Sequence, residues 1–498
     1  MSTGKINPRA AALDILNRYF KKDSSLKELI SESLERLNYS SLDRRFIFNI
    51  VKGTVRYVLR SDFIISNLSN RKTSNIEPGI LNILRMGIYQ FHFMDRVPAY
   101  SIVNESVKLA KDVNRAASGF VNAVMRRASE IDDPDKYLID MLRKQKAGDE
   151  KKLSVIHSFP EWMIKYWTGY FKKEKTARIC ARLNQIPGFY IRINMDRYIE
   201  KIGADDPVEC TYAGILDGLK NIKAEPAGLA AGGIGRLEGG FRKVFEPAAS
   251  RYLKKGQPVF KEAALISSAM GLEKEKLYRD GIISVQDISS QMAIKYFLEP
   301  GPEEKILDCC AAPGGKASFA AQLMKNSGYV LAVDKSPEKI KILSENLKRL
   351  GSKNVDTLLS DSSMPGFLDR MKNDYLDYFD SIIVDAPCSA LGTIAKNPGA
   401  KYNKNFNDIE RLSDLALDIM TACDPYLKKG GRMLFYTCTI SPVENGQTVR
   451  RFLDLLKGRY AVAENIDTAG NPVKMEMEIM PYYLESEGGY FCVLKKKV

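Results

Sequence analysis

The feature that most constrains this chain is an alternation of short apolar runs and amphipathic stretches that begins at about Gly281. The runs KILDCC, YVLAVD, SIIVDAP and RMLFYTC each end in polar residues or cysteine. A helical stretch, KASFAAQLM, separates the first two runs, and Ser336-Pro337-Glu338 has the composition of a helix start after the second. Such alternation predicts a mostly parallel sheet with helices on both faces, in which ligands bind beyond the carboxyl ends of the strands.

The residues before Gly281 follow other patterns. Residues 6–130 are predicted to be helical because apolar residues recur at helical spacing; examples are Leu81, Leu84, Ile88, Phe91, Val103, Val107 and Ala110. The polar segment 131–150 is predicted to be a linker, and the glycine-rich segment 225–242 a loop. FYIRIN is predicted to be a strand in a small mixed α/β segment. The predicted domains are an all-α domain over residues 1–135, connecting helices with the small α/β segment over residues 150–275, and a Rossmann-like α/β domain over residues 276–498.

The chain is basic, with a formal net charge of +14. Residues 1–130 contain 21 Lys or Arg against 12 Asp or Glu, so most of the excess charge lies in the helical part. This asymmetry favours a polyanionic partner such as nucleic acid, although a solubilising surface would have the same composition. No apolar run approaches the roughly 20 residues of a membrane helix, and the N-terminus lacks the apolar block of a signal peptide. A cytosolic protein without membrane contact is therefore expected.

The eight cysteines form no CxxC pair, and the chain has only two histidines, His92 and His157. This composition argues against a structural zinc site, so no metal is expected. Most of the cysteines are expected to be small buried apolar side chains. A catalytic role therefore has to be argued for each cysteine separately.

The first predicted strand of the α/β domain ends in a turn of small residues, from Asp308 to Lys316. Small residues between a strand and a helix let a ligand approach the backbone, and the helix N-terminus offers free N–H groups. Asp334 ends the second strand, and Asp361 follows a third predicted strand. A tight turn and two helix caps would explain each feature alone. Two carboxylates in order after a glycine turn favour an adenosine-type cofactor, with a carboxylate bound to the ribose hydroxyls.

Cys388 and Cys438 each lie just beyond a predicted strand end, in DAPCSALG and YTCTISPVEN. The two loops are expected to be neighbours over one cleft. A thiolate is a strong nucleophile, but no histidine is at hand as a base, which disfavours a cysteine protease or hydrolase. A pair of cysteines suits chemistry on an aromatic ring that has to be activated first.

The sequence as a whole resembles the RsmB (Sun/Fmu) family of RNA cytosine-5 methyltransferases. The α/β half carries the motifs VQDISSQM (285–292), DCCAAPGGKA (308–317), VDKSPEKI (333–340), DAPCSALG (385–392) and YTCTISPVENGQTV (436–449). The helical half resembles the NusB-type RNA-binding domain of these enzymes through DRRF (43–46), GTVRY (53–57), LRMGIYQ (84–90), DRVPAYSIVNESVKLAK (95–111) and GFVNAVMRR (119–127). HSFPEW (157–162) and YIRIN (190–194) resemble the connecting helices and the RRM-like segment of the family.

The resemblance implies S-adenosylmethionine as the cofactor and cytosine 967 of 16S ribosomal RNA as the target, in an unstacked position of a structured RNA. It implies a monomer. It also implies that Cys438 attacks carbon 6 of the base, that Asp385 supports the ring near N3, and that Cys388 assists release. Asp334 would bind the ribose and Asp361 the adenine. The remaining cofactor contacts would come from Cys310, Ala311, Ala312, Pro313, Gly314, Gly315, Lys316 and Asp385.

The chain departs from the family pattern after DAPCSALG. Relatives carry an arginine-rich segment followed by Asn/His-Pro-Asp, whereas this chain has Lys396 and Gly399 at those places. Two other classes of function remain open. One is an RNA-binding or transcription factor with an inactive methyltransferase scaffold, and the other is a thiol redox protein that uses Cys309 and Cys310.

Overall fold

The computed structural model describes residues 7–22, 24–36, 39–202, 225–226, 263–266, 269, 271–369, 374–466, 472–483 and 486–497. The chain divides into two units. The first contains residues 1–184 and 396–403, and the second contains residues 185–395 and 404–498. Within the described ranges, no helix has both the length and the apolar composition needed to cross a membrane. The predicted glycine-rich loop, residues 225–242, lies outside the described residues except for Glu225 and Pro226.

The first unit is built from α-helices, with no strand among its described residues, which confirms the predicted all-α fold. Its helices are α1 Pro8–Phe20, α2 Leu26–Arg36, α3 Ser41–Arg56, α4 Val58–Ser69, α5 Pro78–Phe93, α6 Ala99–Val113, α7 Ser118–Ser129, α8 Pro134–Lys144, α9 Asp149–His157 and α10 Glu161–Leu183.

Local sequence explains where several of these helices begin. The side chains of Asn7, Ser40 and Asp133 each accept a hydrogen bond from a backbone N–H in the first turn of α1, α3 and α8. The predicted apolar stripe on α5 lies in the core, where Leu84 and Ile88 are buried. The starts of these three helices are thus set by polar caps, and the orientation of α5 by its apolar face.

The predicted linker at residues 131–150 is wrong, because this segment contains α8 and the start of α9. Two of its apolar residues, Leu138 and Leu142, are four positions apart, so they share one face of α8, and both are buried. The many charged residues around them lie mostly on the exposed face. A high local charge therefore concealed a short amphipathic helix.

Lys401 is a fully buried lysine of the first unit, and no carboxylate among the described residues pairs with it. Its ammonium group donates to the carbonyl oxygens of Arg56 and Ser158 at 3.0 and 2.9 Å and to Oδ1 of Asn184 at 2.8 Å. Arg56 is the last residue of α3, and Ser158 and Asn184 directly follow α9 and α10. Burial lowers the pKa of Lys401 well below its usual value. The partial negative charge at three helix C-termini opposes this effect and takes the place of an acidic partner.

Replacing Lys401 by methionine is expected to destabilise the first unit. Lys401→Met keeps the aliphatic stem but leaves three buried acceptors without their donor, at a cost of about 1–3 kcal/mol. Urea unfolding followed by circular dichroism measures the loss. Lys136→Met, at an exposed position of α8, is the matched control and should leave the midpoint unchanged. Equal midpoints for the two variants would contradict a stabilising role for the buried ammonium.

The second unit begins with a small antiparallel sheet in the order β2-β3-β1-β4. Its strands are β1 Phe189–Ile193, β2 Glu225–Pro226, β3 Ala263–Ile266 and β4 Ile283–Val285, and α11 Met195–Ile202 follows β1. The predicted strand FYIRIN is therefore β1, and it is the central strand between β3 and β4.

The large sheet has eight strands within the described ranges. They are β5 Lys305–Asp308, β6 Tyr329–Asp334, β7 Val355–Leu359, β8 Phe379–Asp385, β9 Leu427–Thr437, β10 Tyr460–Val462, β13 Glu476–Ile479 and β14 Gly489–Lys496, and a separate pair is formed by β11 Glu464–Ile466 and β12 Pro472–Lys474. The helices are α12 Lys276–Arg279, α13 Ile288–Met292, α14 Gly315–Leu323, α15 Pro337–Leu350, α16 Phe406–Cys423 and α17 Thr448–Leu455.

The strand order is β10-β14-β9-β8-β5-β6-β7, and β13 pairs with β14. The five strands from β5 to β9 are parallel to their neighbours, and β14 is antiparallel to β9. Successive residues of a strand belong to two different apolar clusters, one on each face of the sheet. Ile306 and Ala332 lie in one cluster, and Leu307 and Leu331 lie in the other. Both faces of the sheet are therefore covered, which confirms the predicted Rossmann-like fold.

Candidate active site

A cavity of about 240 Å³ lies at the carboxyl ends of the parallel strands. Eight of the residues named in the sequence analysis line it: Cys309, Cys310, Ala312, Asp334, Asp361, Asp385, Cys388 and Cys438. The cavity lining does not include Ala311, Pro313, Gly314, Gly315 or Lys316. The sheet thus collects the cysteines and the carboxylates at one edge, whereas much of the glycine turn lies outside the cavity wall.

The turn after β5 is held to the sheet and to α15. The N–H of Ala311 donates to the carbonyl oxygen of Val333 on β6 at 2.9 Å. Gly314 has a φ of +101°, and a Cβ at this position would lie 2.9 Å from Cδ1 of Leu343. Only glycine combines this backbone conformation with so close a neighbour. A glycine is therefore needed at position 314 for the turn to connect β5 to α14 in this conformation.

Lys316 pairs with Asp385. Its Nζ donates to Oδ2 of Asp385 at 2.6 Å and lies 4.0 Å from the centre of the Tyr436 ring. A second carboxyl group, that of Asp308, is fully buried below them, and burial followed by the charge of Asp385 raises its pKa to about 7. Lys316 was expected to contact the cofactor. In the structure its ammonium group binds the carboxylate of Asp385, which lines the cavity together with Cys388 and Cys438.

Arg192 is a contact residue that the sequence did not reveal. It lies in β1, is 2% exposed, and donates to Oε1 of Gln286 and the carbonyl oxygen of Gly315 at 2.8 Å and to Oγ of Ser318 at 2.9 Å. Burial, and then the charge of Arg349, lowers its pKa to about 9. The guanidinium group therefore ties the small sheet to the glycine turn. A single charged residue inside the apolar strand FYIRIN was the available signal.

Asp334 and Asp361 face the same cavity but have local partners as well. Oδ1 of Asp334 accepts the N–H of Ser336 at 3.2 Å, in the cap of α15. Oδ1 of Asp361 accepts the hydroxyl of Ser363 at 2.7 Å. The second oxygen of each carboxylate lies near a lysine, at 4.0 Å from Nζ of Lys339 for Asp334 and at 3.7 Å from Nζ of Lys335 for Asp361. Both lysine side chains are mostly exposed, so a cap and a ligand contact are compatible interpretations of each carboxylate.

The two cysteines that follow β8 and β9 are close together. The sulfur atoms of Cys388 and Cys438 are 3.4 Å apart. The hydrogen bond with Cys388 and burial raise the pKa of Cys438 well above its usual value, and the acidic groups of Glu487 and Asp385 raise it further. The thiol of Cys438 is therefore protonated at neutral pH in the free protein, and a reaction that uses its thiolate has to remove that proton.

A glycine fixes the loop of Cys388 against the loop of Cys438. The N–H of Gly392 donates to the carbonyl oxygen of Cys438 at 3.1 Å, and the carbonyl oxygen of Gly392 accepts the N–H of Gly488 at 3.1 Å. A Cβ at Gly392 would overlap the carbonyl oxygen of Gly488. The glycine that ends DAPCSALG is therefore needed for three chain segments to meet at the site.

The adjacent residues Cys309 and Cys310 both line the cavity, but they differ in burial and in their neighbours. The sulfur of Cys309 lies 3.0 Å from that of Cys423, and both residues are buried. Cys310 lines the cavity and is partly exposed. Since the two side chains have different surroundings, the thiol redox hypothesis has no geometric support at this pair.

Two family models match the chain. Residues 295–495 match the model described as 16S rRNA methyltransferase RsmB/F, and residues 6–130 match that of the NusB family. The chain is 28% identical to the probable ribosomal RNA small subunit methyltransferase B of Synechocystis, over 99% of this chain and 100% of that protein. It is 26% identical to the protein of the same name from Bacillus subtilis, over 99% of both.

Among solved structures, the crystal structure of PH0851 superposes with a TM-score of 0.70 at 19% identity and covers 99% of both chains. This likeness concerns the fold alone. The two family models confirm the resemblance found in the motifs, and the superposition agrees with the fold class that the motifs implied.

The raised pKa of Cys438 predicts slow alkylation. Because only the thiolate reacts, carbamidomethylation of Cys438 should be slow at pH 7 and should accelerate as the pH rises. Cys388→Ala removes the first cause of the shift, so alkylation of Cys438 at pH 8 should increase by roughly tenfold for each unit by which its pKa falls. Peptide mass spectrometry measures both rates.

Cys310 is the internal control for this experiment. Burial and the nearby carboxyl groups raise its pKa, and Cys388 is not among the causes. Its alkylation should therefore be the same in the variant and in the wild type. An unchanged rate at Cys438, or an equal increase at both cysteines, would contradict the effect of Cys388 on Cys438.

Proposed function

We propose that this chain, which joins a NusB-family domain to a methyltransferase domain of the RsmB/F family, methylates carbon 5 of a cytosine in small-subunit ribosomal RNA. The observation that carries the proposal is the pair of thiols 3.4 Å apart, which lines one cavity together with Asp385. One thiol is sufficient for many nucleophilic reactions. Two thiols at one site suit a reaction in which one adds to the ring and the other assists its departure.

The cavity fits S-adenosylmethionine as the cofactor. Two carboxylates, Asp334 and Asp361, line it together with Cys310 and Ala312, and they suit ribose hydroxyls and an adenine amino group. The turn from Ala311 to Lys316 completes the proposed set and leads into the N-terminus of α14. When bound, the cofactor supplies an electrophilic methyl group.

Cys438 is the proposed nucleophile. Carbon 5 of cytosine is a poor nucleophile, and addition of the Cys438 thiolate to carbon 6 turns the ring into an enamine that is reactive at carbon 5. The thiol is protonated in the free protein, because burial and Cys388 raise its pKa. Its proton therefore has to leave when the base enters, and the carboxylates of Glu487 and Asp385 beside it are the available acceptors.

Asp385 is proposed to hydrogen-bond the ring near N3, where charge develops after the addition. Its Oδ2 is held by Lys316 at 2.6 Å, which fixes the direction of the other oxygen. An ionised carboxylate only accepts hydrogen bonds, so Asp385 stabilises the form of the ring that carries a proton on N3, and it does so without rearrangement during the reaction. Asp385 also lines the cavity and is proposed as a cofactor neighbour.

Cys388 is proposed to assist product release. After the methyl group is in place, loss of the carbon-5 proton allows the bond between carbon 6 and Cys438 to break. A sulfur atom 3.4 Å from that of Cys438 can reach the same face of the ring. The two cysteines are therefore assigned to different halves of one reaction.

The proposed substrate is a cytosine that can leave its stack, since a stacked base cannot reach a cavity at the sheet edge. Residues 1–135 are proposed as the RNA-binding part, residues 150–275 as the connecting part and residues 276–498 as the catalytic part. The relatives' name, ribosomal RNA small subunit methyltransferase B, supports the same RNA, and the family resemblance points to cytosine 967.

The departure from the family pattern bears on this assignment. The carbonyl oxygen of Lys396 accepts Nζ of Lys52 at 2.8 Å, and that of Gly399 accepts the hydroxyl of Tyr19 at 3.3 Å. A Cβ at Gly399 would lie 2.9 Å from the Tyr19 oxygen. Residues 396–403 thus form hydrogen bonds with helices of the first unit, and they are not proposed as RNA contacts.

The alternative function, an RNA-binding or transcription factor with an inactive methyltransferase scaffold, makes a different prediction for the cofactor. Titration of the full chain with S-adenosylmethionine by calorimetry should give specific binding under the methyltransferase proposal. Absence of heat at micromolar protein would favour the alternative.

The two cysteines should have separable phenotypes. Cys438→Ala should abolish methyl transfer and leave cofactor binding intact, because it removes only the nucleophile. Cys388→Ala should accumulate a covalent protein–RNA adduct, visible on a denaturing gel, because release is impaired. An adduct in the Cys438 variant would reverse the two roles. Bisulfite sequencing of ribosomal RNA from a deletion strain then identifies the nucleotide.

A further inference from the structure

Glu444 is a buried carboxylate that the proposed reaction does not use. It is 2% exposed, and it lies beyond β9 in the same loop as Cys438. Its Oε1 accepts the backbone N–H of Ser389 at 2.6 Å, and its Oε2 accepts the hydroxyl of Ser389 at 2.6 Å. Oε2 also lies 3.3 Å from the hydroxyl of Thr439. One carboxylate therefore joins two loops.

The partners of Glu444 are the residues that directly follow the two cysteines. Ser389 follows Cys388, and Thr439 follows Cys438. The hydroxyl groups of Ser389 and Thr439 are themselves 2.9 Å apart. The two loops are thus in contact at two adjacent places. One contact joins the Glu444 carboxylate to the hydroxyls of Ser389 and Thr439, and the other is the pair of sulfur atoms. A shift of either loop away from Glu444 changes the distance between the sulfur atoms.

This distance matters because the two thiols act on neighbouring atoms of one ring. The atom attacked in the proposed reaction, carbon 6, is bonded to carbon 5, from which the proton leaves. A misplacement of about 1 Å is sufficient to lower the rate of a positioned reaction by two orders of magnitude. The loops after β8 and β9 therefore need a fixed spacing beyond what the sheet supplies.

We propose that Glu444 is a positioning residue that fixes the spacing between Cys388 and Cys438. This inference rests on the proposed function for its catalytic consequence, but the spacing itself can be measured without catalysis. A carboxylate suits the task because both of its oxygens accept and Ser389 offers two donors. A glutamine at this position would present an amide N–H group to one of those donors.

The spacing can be measured as the tendency of the two thiols to form a disulfide. Full-length protein is equilibrated in buffers of reduced and oxidised glutathione, in which Cys388 and Cys438 are oxidised while glutathione disulfide is reduced to two thiols. Peptide mass spectrometry gives the fraction joined and keeps this pair separate from Cys309 and Cys423. An equilibrium measurement is preferable to a rate, because rates also depend on the pKa of each thiol.

Glu444→Gln should lower the equilibrium constant for the Cys388–Cys438 disulfide by about tenfold or more, a change of about 30 mV. Asp424→Asn is the matched control, since Asp424 is also a buried carboxylate of this unit, bound to Tyr460 at 2.8 Å. The control should match the wild type. A folded Glu444→Gln protein with the wild-type constant overturns the proposal.

Ser389→Ala provides a second variant in case Glu444→Gln does not fold. It removes one donor and keeps the backbone N–H bond to Glu444, so the constant should fall in the same direction by a smaller factor. An unchanged constant in Ser389→Ala, with Glu444→Gln unfolded, overturns the proposal as well.

The catalytic consequence is tested by transfer of labelled methyl groups to RNA. Glu444→Gln should lower kcat by about tenfold or more, with an affinity for S-adenosylmethionine within about twofold of wild type. A weaker disulfide with unchanged kcat would overturn the positioning role. If wild-type protein transfers no methyl group to cytosine, the proposed function fails, and the disulfide equilibrium still decides whether Glu444 sets the spacing.

Discussion

Strands β5, β6, β8 and β9 run in parallel, and their backbone hydrogen bonds bring residues that are far apart in the sequence to one edge of the sheet. The cavity, the paired thiols and the contact between Lys316 and Asp385 all depend on this alignment. Cys388 and Cys438 are 50 positions apart, yet their strands are direct neighbours, so their sulfur atoms lie within contact distance. The polar loops refine a spacing that the sheet establishes first.

The site holds its reactive groups in a resting form. The thiol of Cys438 is kept protonated by burial and by Cys388, and the carboxylate of Asp385 is neutralised by Lys316. In the proposed reaction, an aromatic base would compete for the same partners in both arrangements. A thiolate in the free protein would be open to alkylation and oxidation, whereas a protonated thiol is much less reactive.

Patterns in the sequence predicted the elements whose residues interact along the chain. Apolar runs indicated the strands, and the order of residues alone was sufficient to assign Cys388, Cys438 and Asp385 to strand ends. Arg192 and Lys401 could not be found in this way, because all their partners are distant in sequence and three of the six are backbone carbonyl groups, which leave no trace in residue type. The segment 131–150 was misjudged for a related reason: its charges dominate the composition, whereas its packing depends on a few apolar residues, of which Leu138 and Leu142 are buried. The roles of the individual site residues stay predictions.

The engagement of residues 396–403 in the helical unit has a consequence for modularity. The chain leaves the second unit after residue 395, contributes Lys401 to the helix ends of the first unit, and returns at residue 404. No single cut in the sequence can therefore separate two complete units. A gene fragment that began at residue 185 would encode a buried lysine without the helix termini that accept it. Recombination between homologous genes could exchange the two parts only by transferring this short insert along with the helices, so the helical part and the insert are expected to be inherited together.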